Sequence, residues 1–125
     1  MFALAVLLAG AQGAAPEREP GRPFEIRTAE TVTVQGLRIT FDGVSEDSRC
    51  PTGAQCVWAG DAAAGFSLEK APESVRRTLH TNSRFERQVE IAGLLIRLED
   101  IRPYPKQGET IARADYRAVL IVTKR

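Results

Sequence analysis

Two stretches of this chain satisfy the same internal register test, and together they leave little room for anything but an antiparallel β fold. Apolar and polar residues alternate through Thr31-Val-Thr-Val34 and Leu37-Arg-Ile-Thr-Phe41, on either side of the dipeptide Gln35-Gly36. A two-residue hairpin loop there sets Val34 opposite Leu37 and Val32 opposite Ile39, so that all four share one face. A slip of one residue would turn the whole set to water. Further along, Val89 and Ile91 precede Ala92-Gly93, and Leu94, Ile96 and Leu98 follow it. The same loop pairs Ile91 with Leu94 and Val89 with Ile96. A competing signal is Ser83-x-x-Glu86, which has the form of a helix capping box. A helix would bury Gly93 mid-element at a cost of about 1 kcal/mol. The apolar spacing from Val89 onward is also mostly two, so the hairpin is the expectation.

The remaining segments agree with that class. Ala62, Ala64, Phe66 and Leu68 alternate, Ala71-Pro-Glu-Ser74 reads as a turn, and Val75 through Thr81 reads as a more polar strand. Near the end, Tyr116, Ala118, Leu120 and Val122 form one apolar face, while Val119 and Ile121 make the other face apolar as well. A strand with two apolar faces belongs in the centre of a sheet. With about seven to eight short strands, frequent turn signals and no convincing helix, residues 24–125 are expected to form a single-domain antiparallel β-sandwich or small barrel.

Residues 1–15, MFALAVLLAGAQGAA, carry no charge and pass from an apolar run to small residues, the pattern of a secretory signal peptide. Ala11 and Gly13 have the spacing for cleavage after Gly13. The run lacks the preceding Lys or Arg of a full signal, and no cysteine follows it for lipid attachment. Residues 16–23, PEREPGRP, read as a proline-rich linker. The sequence thus points to a periplasmic or secreted protein. Seventeen Lys and Arg against 16 Asp and Glu leave a formal charge of +1 with no run of either sign, which argues against nucleic acid as a partner. No apolar stretch approaches the roughly 18 residues of a membrane span.

Chemically distinctive residues concentrate in EDSRCPTGAQCVWAGD, residues 46–61. Cys50 and Cys56 are too far apart in sequence for a redox Cys-x-x-Cys pair and lack the further ligands of a zinc site. A disulfide is the simpler reading: Pro51 and Gly53 allow the chain to turn back between them. Closing so short a loop stabilises the fold by roughly 2 kcal/mol. An exported chain would meet the oxidising compartment that preserves the bond. If Cys56 opens a strand, Trp58 shares its face and covers the disulfide as a core residue, the usual place of tryptophan; the alternative is a tryptophan of a binding site. Tyr104, held between Pro103 and Pro105, reads either as a lid over the end of the core or as a ligand contact.

Catalytic and metal signals are weaker. His80 is the only histidine and reads as a solvated strand residue; no GxSxG, HExxH, P-loop or GxGxxG motif is present. Glu46, Asp47 and Asp61 could converge on a hard cation such as Ca²⁺, although their spacing is not that of an EF-hand. Against this, Asp47 and Ser48 would accept backbone N–H bonds in the turn before Cys50 while Arg49 pairs with a neighbour.

The motifs DSRCPTGAQCVWAGD at 47–61, PYP at 103–105 and DYRAVLIV at 115–122 resemble those of a family of small exported bacterial β-rich proteins. That resemblance implies an exported β-rich domain and no particular activity, cofactor or catalytic residue. Many members look like lipoproteins with a cysteine after the leader, from which this chain departs.

The leading expectation is an exported, non-enzymatic binding or structural domain without a cofactor. Its contacts to an envelope protein or peptide would come from Arg49, Thr52, Gln55, Trp58 and Tyr104. Alternatives are a Ca²⁺-type metal site at Glu46, Asp47 and Asp61, a small hydrolytic or metal-dependent enzyme using Asp47, Asp61 and His80, and a protease-inhibitor-like loop presenting Thr52 to Gln55. Oligomeric state is left open by the sequence.

Overall fold

The computed structural model describes residues 15–125, so the expected leader falls outside the described residues except for Ala15. The strands are β1 (Phe24–Arg27), β2 (Thr31–Val34), β3 (Leu37–Asp47), β4 (Ala62–Lys70), β5 (Glu73–His80), β6 (Gln88–Ile91), β7 (Leu94–Arg102) and β8 (Arg117–Lys124). They form two four-stranded antiparallel sheets, in the orders β1-β8-β7-β6 and β2-β3-β4-β5. The only helical element among the described residues is a 3-10 turn at Arg113–Asp115.

Both hairpins take the register that alternation demands: Val34 pairs with Leu37 and Val32 with Ile39, Ile91 with Leu94 and Val89 with Ile96. Their loop residues have positive φ throughout, 50° and 82° at Gln35-Gly36 and 53° and 78° at Ala92-Gly93. That is the twist a two-residue hairpin needs, and glycine at the second position relieves half of its strain. The Ser83-x-x-Glu86 segment is a turn and loop rather than a helix.

Apolar faces of the two sheets meet in one core. Ile26, Ile96, Leu98, Ile101 and Leu120 come from one sheet, Val32, Ile39, Phe41, Phe66, Leu68 and Leu79 from the other, all essentially without solvent exposure. Phe41 and Phe66 are register partners whose rings stack with centroids 5.2 Å apart. β8 lies between β1 and β7, as its two apolar faces require.

Three features depart from the sequence reading. β3 runs on past Phe41 to Asp47 through two bulges opposite β4, so Glu46 and Asp47 end a strand instead of sitting in a turn. The β4–β5 connection is only Ala71-Pro72, and β5 begins at Glu73, because Lys70 and Glu73 already pair across it. Residues of the expected linker pair with the domain: Arg18 N donates to Thr33 O, Thr33 N to Pro16 O, and Gly21 N to Val122 O. Main-chain bonds of this kind need no apolar side chains, which is why composition conceals them.

The pairing at residues 16–18 covers part of the free edge of β2, whereas β5 is the other edge of that sheet. Arg77 of β5 pairs with the buried Phe66 and therefore stands on the inward face, yet it is exposed. An inward-directed charge on an edge strand opposes strand addition by a second molecule. Arg77→Val should leave the thermal midpoint unchanged or raised while increasing self-association, as read by light scattering against concentration; scattering no different from the parent's would refute this role.

Candidate functional site

One end of the sandwich is built around Arg49, which is only 7% exposed. Asp47, at the close of β3, meets it as a bidentate pair: Arg49 Nε donates to Asp47 Oδ1 at 2.8 Å and Nη2 to Oδ2 at 2.7 Å. Arg49 Nη1 donates to the Ile101 carbonyl at 2.6 Å and Nη2 also to that of Pro103 at 3.1 Å. Tyr116, just ahead of β8, adds its hydroxyl to Asp47 Oδ2 at 2.8 Å. The Tyr104 ring covers the guanidinium at 5.2 Å, a cation–π distance. Tyr104 thus lids Arg49 and not the apolar core, and it remains 51% exposed.

Burial alone would push the Asp47 carboxyl up, but bonds from Arg49 and Tyr116 and the guanidinium charge outweigh it and hold the group below its ordinary value. Burial likewise disfavours the charge on Arg49, and the Asp47 contacts more than restore it. Tyr116 is pushed up to about 12, first by burial and then by its bond to Asp47, because a phenolate there would face a carboxylate.

A second network joins the start of β4 to the end of β5. The register sets Ala63 opposite His80, which brings His80 Nδ1 to 2.6 Å from Asp61 Oδ2. His80 is accordingly a half-buried, paired residue and not a solvated one; the carboxylate that accompanies it is distant in sequence. Asn82 N donates to Asp61 Oδ1 at 3.0 Å, and the Asn82 amide reaches the carbonyls of Ala59 and Gly60. Ser48 Oγ bonds the main chain of Asp61 as both donor and acceptor. Gly60 lies so close to Ser48 and Arg49 that a Cβ built on it would overlap the Ser48 carbonyl, so only glycine fits.

Between these networks runs the cysteine segment. Cys50 and Cys56 are disulfide-bonded with Cα atoms 6.0 Å apart, within the usual span of such a bond. Thr52 bridges to the 103–110 loop, its N–H donating to Pro105 O while Gln107 N donates to Thr52 O. Thr52 and Gln55 are exposed. Cys56 opens no strand, since β4 begins only at Ala62; consequently Trp58 is not in the core. It is 77% exposed, beside Val57 at 90%. Trp58, Cys56, Ala59 and Gly60 line one side of a shallow depression of about 310 Å³ whose other side is Asn82, Arg84 and Phe85, the last 53% exposed.

The structure divides the residues that the sequence grouped: Asp61 and His80 meet, whereas Asp47 stands in a different network. Arg49, expected as a binding contact, is buried and serves as a cross-link. Asp47 belongs to the Arg49 network, Asp61 to the His80 network, and Glu46 is exposed at the end of β3. Among the described residues no three His, Cys, Asp or Glu side chains gather as metal ligands. Asn82, Arg84 and Phe85 were not expected at the site. The one available signal was Phe85, an aromatic isolated among polar residues in NSRFER.

Comparison with protein-family models, curated proteins and solved structures finds no match to this chain. Among the described residues no helix is long and apolar enough to cross a membrane.

Two consequences can be measured. Because the folded Asp47 pKa lies below the unfolded one, its contribution is complete above about pH 4 and is lost as pH falls through the folded value. Tyr116 has the opposite sense: its raised value keeps its contribution complete below about pH 10, and the contribution declines from there to about pH 12. Urea midpoints should therefore fall at both extremes. Asp47→Asn should blunt the acid limb and Tyr116→Phe the alkaline limb; limbs as steep as those of the parent would refute the assignment. Gly60→Ala should lower stability by about 1–3 kcal/mol, as overpacking does, and an unchanged urea midpoint would show that the loop yields freely.

Proposed function

We propose that this is an exported, disulfide-stapled β-sandwich that acts by binding, presenting segment 46–61 to an envelope protein or peptide. The observation that carries this reading is the exposure of Val57, Trp58 and Phe85 on backbone that is held from both sides. The disulfide, the Thr52 bridge, the Asn82 amide and the close approach of Gly60 to Ser48 all restrain that backbone. Apolar side chains held rigidly in water incur their ordering cost during folding and not at association, which favours binding. Tryptophan and arginine are also the residues that most often dominate interfaces. Tyr104, Thr52 and Gln55 extend the exposed surface toward the 103–110 loop.

Export is supported by the leader pattern of residues 1–15 and by the disulfide, which persists in oxidising compartments. The hydrolytic alternative needs Asp47 beside Asp61 and His80, but Asp47 is bonded to Arg49 and Tyr116 instead. An inhibitor-like use of Thr52 to Gln55 would share this surface, as one form of protein binding.

Immobilised protein incubated with a periplasmic extract should retain a partner that Trp58→Ala retains about 30-fold more weakly, a loss of about 2 kcal/mol. A Thr52→Ala, Gln55→Ala double variant should lose less. Equal capture by all three proteins would place the binding surface elsewhere or remove it.

A further inference from the structure

The depression beside the disulfide has an unequal distribution of free chemistry. Most of its polar groups are already engaged within the protein. Asp61 accepts from His80 through one oxygen and from Asn82 N through the other. Asn82 spends its amide N–H on Ala59 and Gly60 and its oxygen on Arg84 N. The Ser48 hydroxyl is bonded to the Asp61 main chain in both directions. What remains at the rim is apolar surface from Trp58 and Phe85 and the guanidinium of Arg84, which has no ion-pair or hydrogen-bond partner among the described residues. Phe85 is itself held in place, its ring 5.0 Å from that of His80.

A ligand suited to such a site brings an apolar side chain and one carboxylate, and few further hydroxyls in need of partners. We infer that the depression takes an acidic peptide segment, with an aliphatic or aromatic side chain between Trp58 and Phe85 and a neighbouring Asp or Glu paired with Arg84. A guanidinium matches a carboxylate in bidentate fashion, and a partner that supplies one completes the only charged group of the depression left without a mate. A polyhydroxylated sugar stacked on the indole would instead need several free side-chain donors, and the O–H of Ser48 and the amide N–H groups of Asn82 are already spent within the protein. This inference rests on the binding reading of segment 46–61 and names the chemistry of its partner.

Trp58 is the only tryptophan, so its fluorescence reports the site directly. The test is a titration of the full protein with blocked hexapeptides carrying Leu or Phe next to Asp or Glu, each beside its Asn or Gln counterpart. Acidic peptides should shift the emission to shorter wavelength and bind about tenfold more tightly than their amide counterparts, the size of one charge-assisted pair. Arg84→Gln, at an exposed position where folding is not at stake, should abolish that preference while leaving the weaker apolar binding. Three results would overturn the inference: no peptide shifts the emission, N-acetylglucosamine oligomers shift it equally in parent and Arg84→Gln, or dilution alone shifts it and reveals a second copy as the occupant. If the peptides fail while Trp58→Ala still abolishes capture from extract, the binding surface stands and its acidic partner falls. Capture indifferent to Trp58→Ala would overturn both.

Discussion

The buried pair between Arg49 and Asp47 is the constraint on which the organisation of this protein depends. Asp47 ends a strand of one sheet, while Ile101 and Tyr116 belong to and precede strands of the other, so the pair and its bonds close the sandwich at one end. Placing two charges out of water is expensive, and such a pair is tolerable only where every donor finds a partner. Here the guanidinium reaches both carboxylate oxygens and two main-chain carbonyls, and Tyr116 satisfies the carboxylate further. The same guanidinium supports Tyr104 from below. One side chain therefore links the two sheets and ties the 48–61 segment to the loop that carries Pro103 and Tyr104.

That arrangement explains how aromatic residues can remain in water without collapsing onto the core. Segment 48–61 leaves β3 at the Arg49 cross-link and re-enters β4 at the Asp61–His80 pair, with Gly60 abutting Ser48 where the two arms of the loop meet. Its ends are held by these bonds, and the disulfide closes the span between Cys50 and Cys56. Trp58 and Val57 project from this frame into solvent. The polar networks serve the site by holding its backbone, while their own charges are turned to internal partners. This division leaves Trp58, Phe85 and Arg84 exposed on one side and Thr52, Gln55 and Tyr104 on the other, the surface of the proposed binding role.

Much of the architecture was determined by sequence alone, and for a local reason. Period-two alternation and two-residue glycine loops are short-range signals, so the Val32–Ile39 and Val89–Ile96 pairings followed from counting, as did the central place of β8. The Cys50–Cys56 bond was legible for the same reason, since six positions along the chain limit its geometry. What tertiary structure decided were the contacts between segments far apart in sequence. Asp61 and His80 are 19 residues apart and Asp47 and Tyr116 are 69 apart, and only strand register and sheet packing bring each pair together. Arg49 was expected both to pair with a neighbour and to contact a partner, and the fold keeps the pairing with Asp47 while burying the side chain; Trp58 was expected in the core, where an indole is ordinarily buried, and the fold leaves it in water. A side chain's partners, more than its type, determine whether it is buried, and those partners exist only once the sheets have assembled.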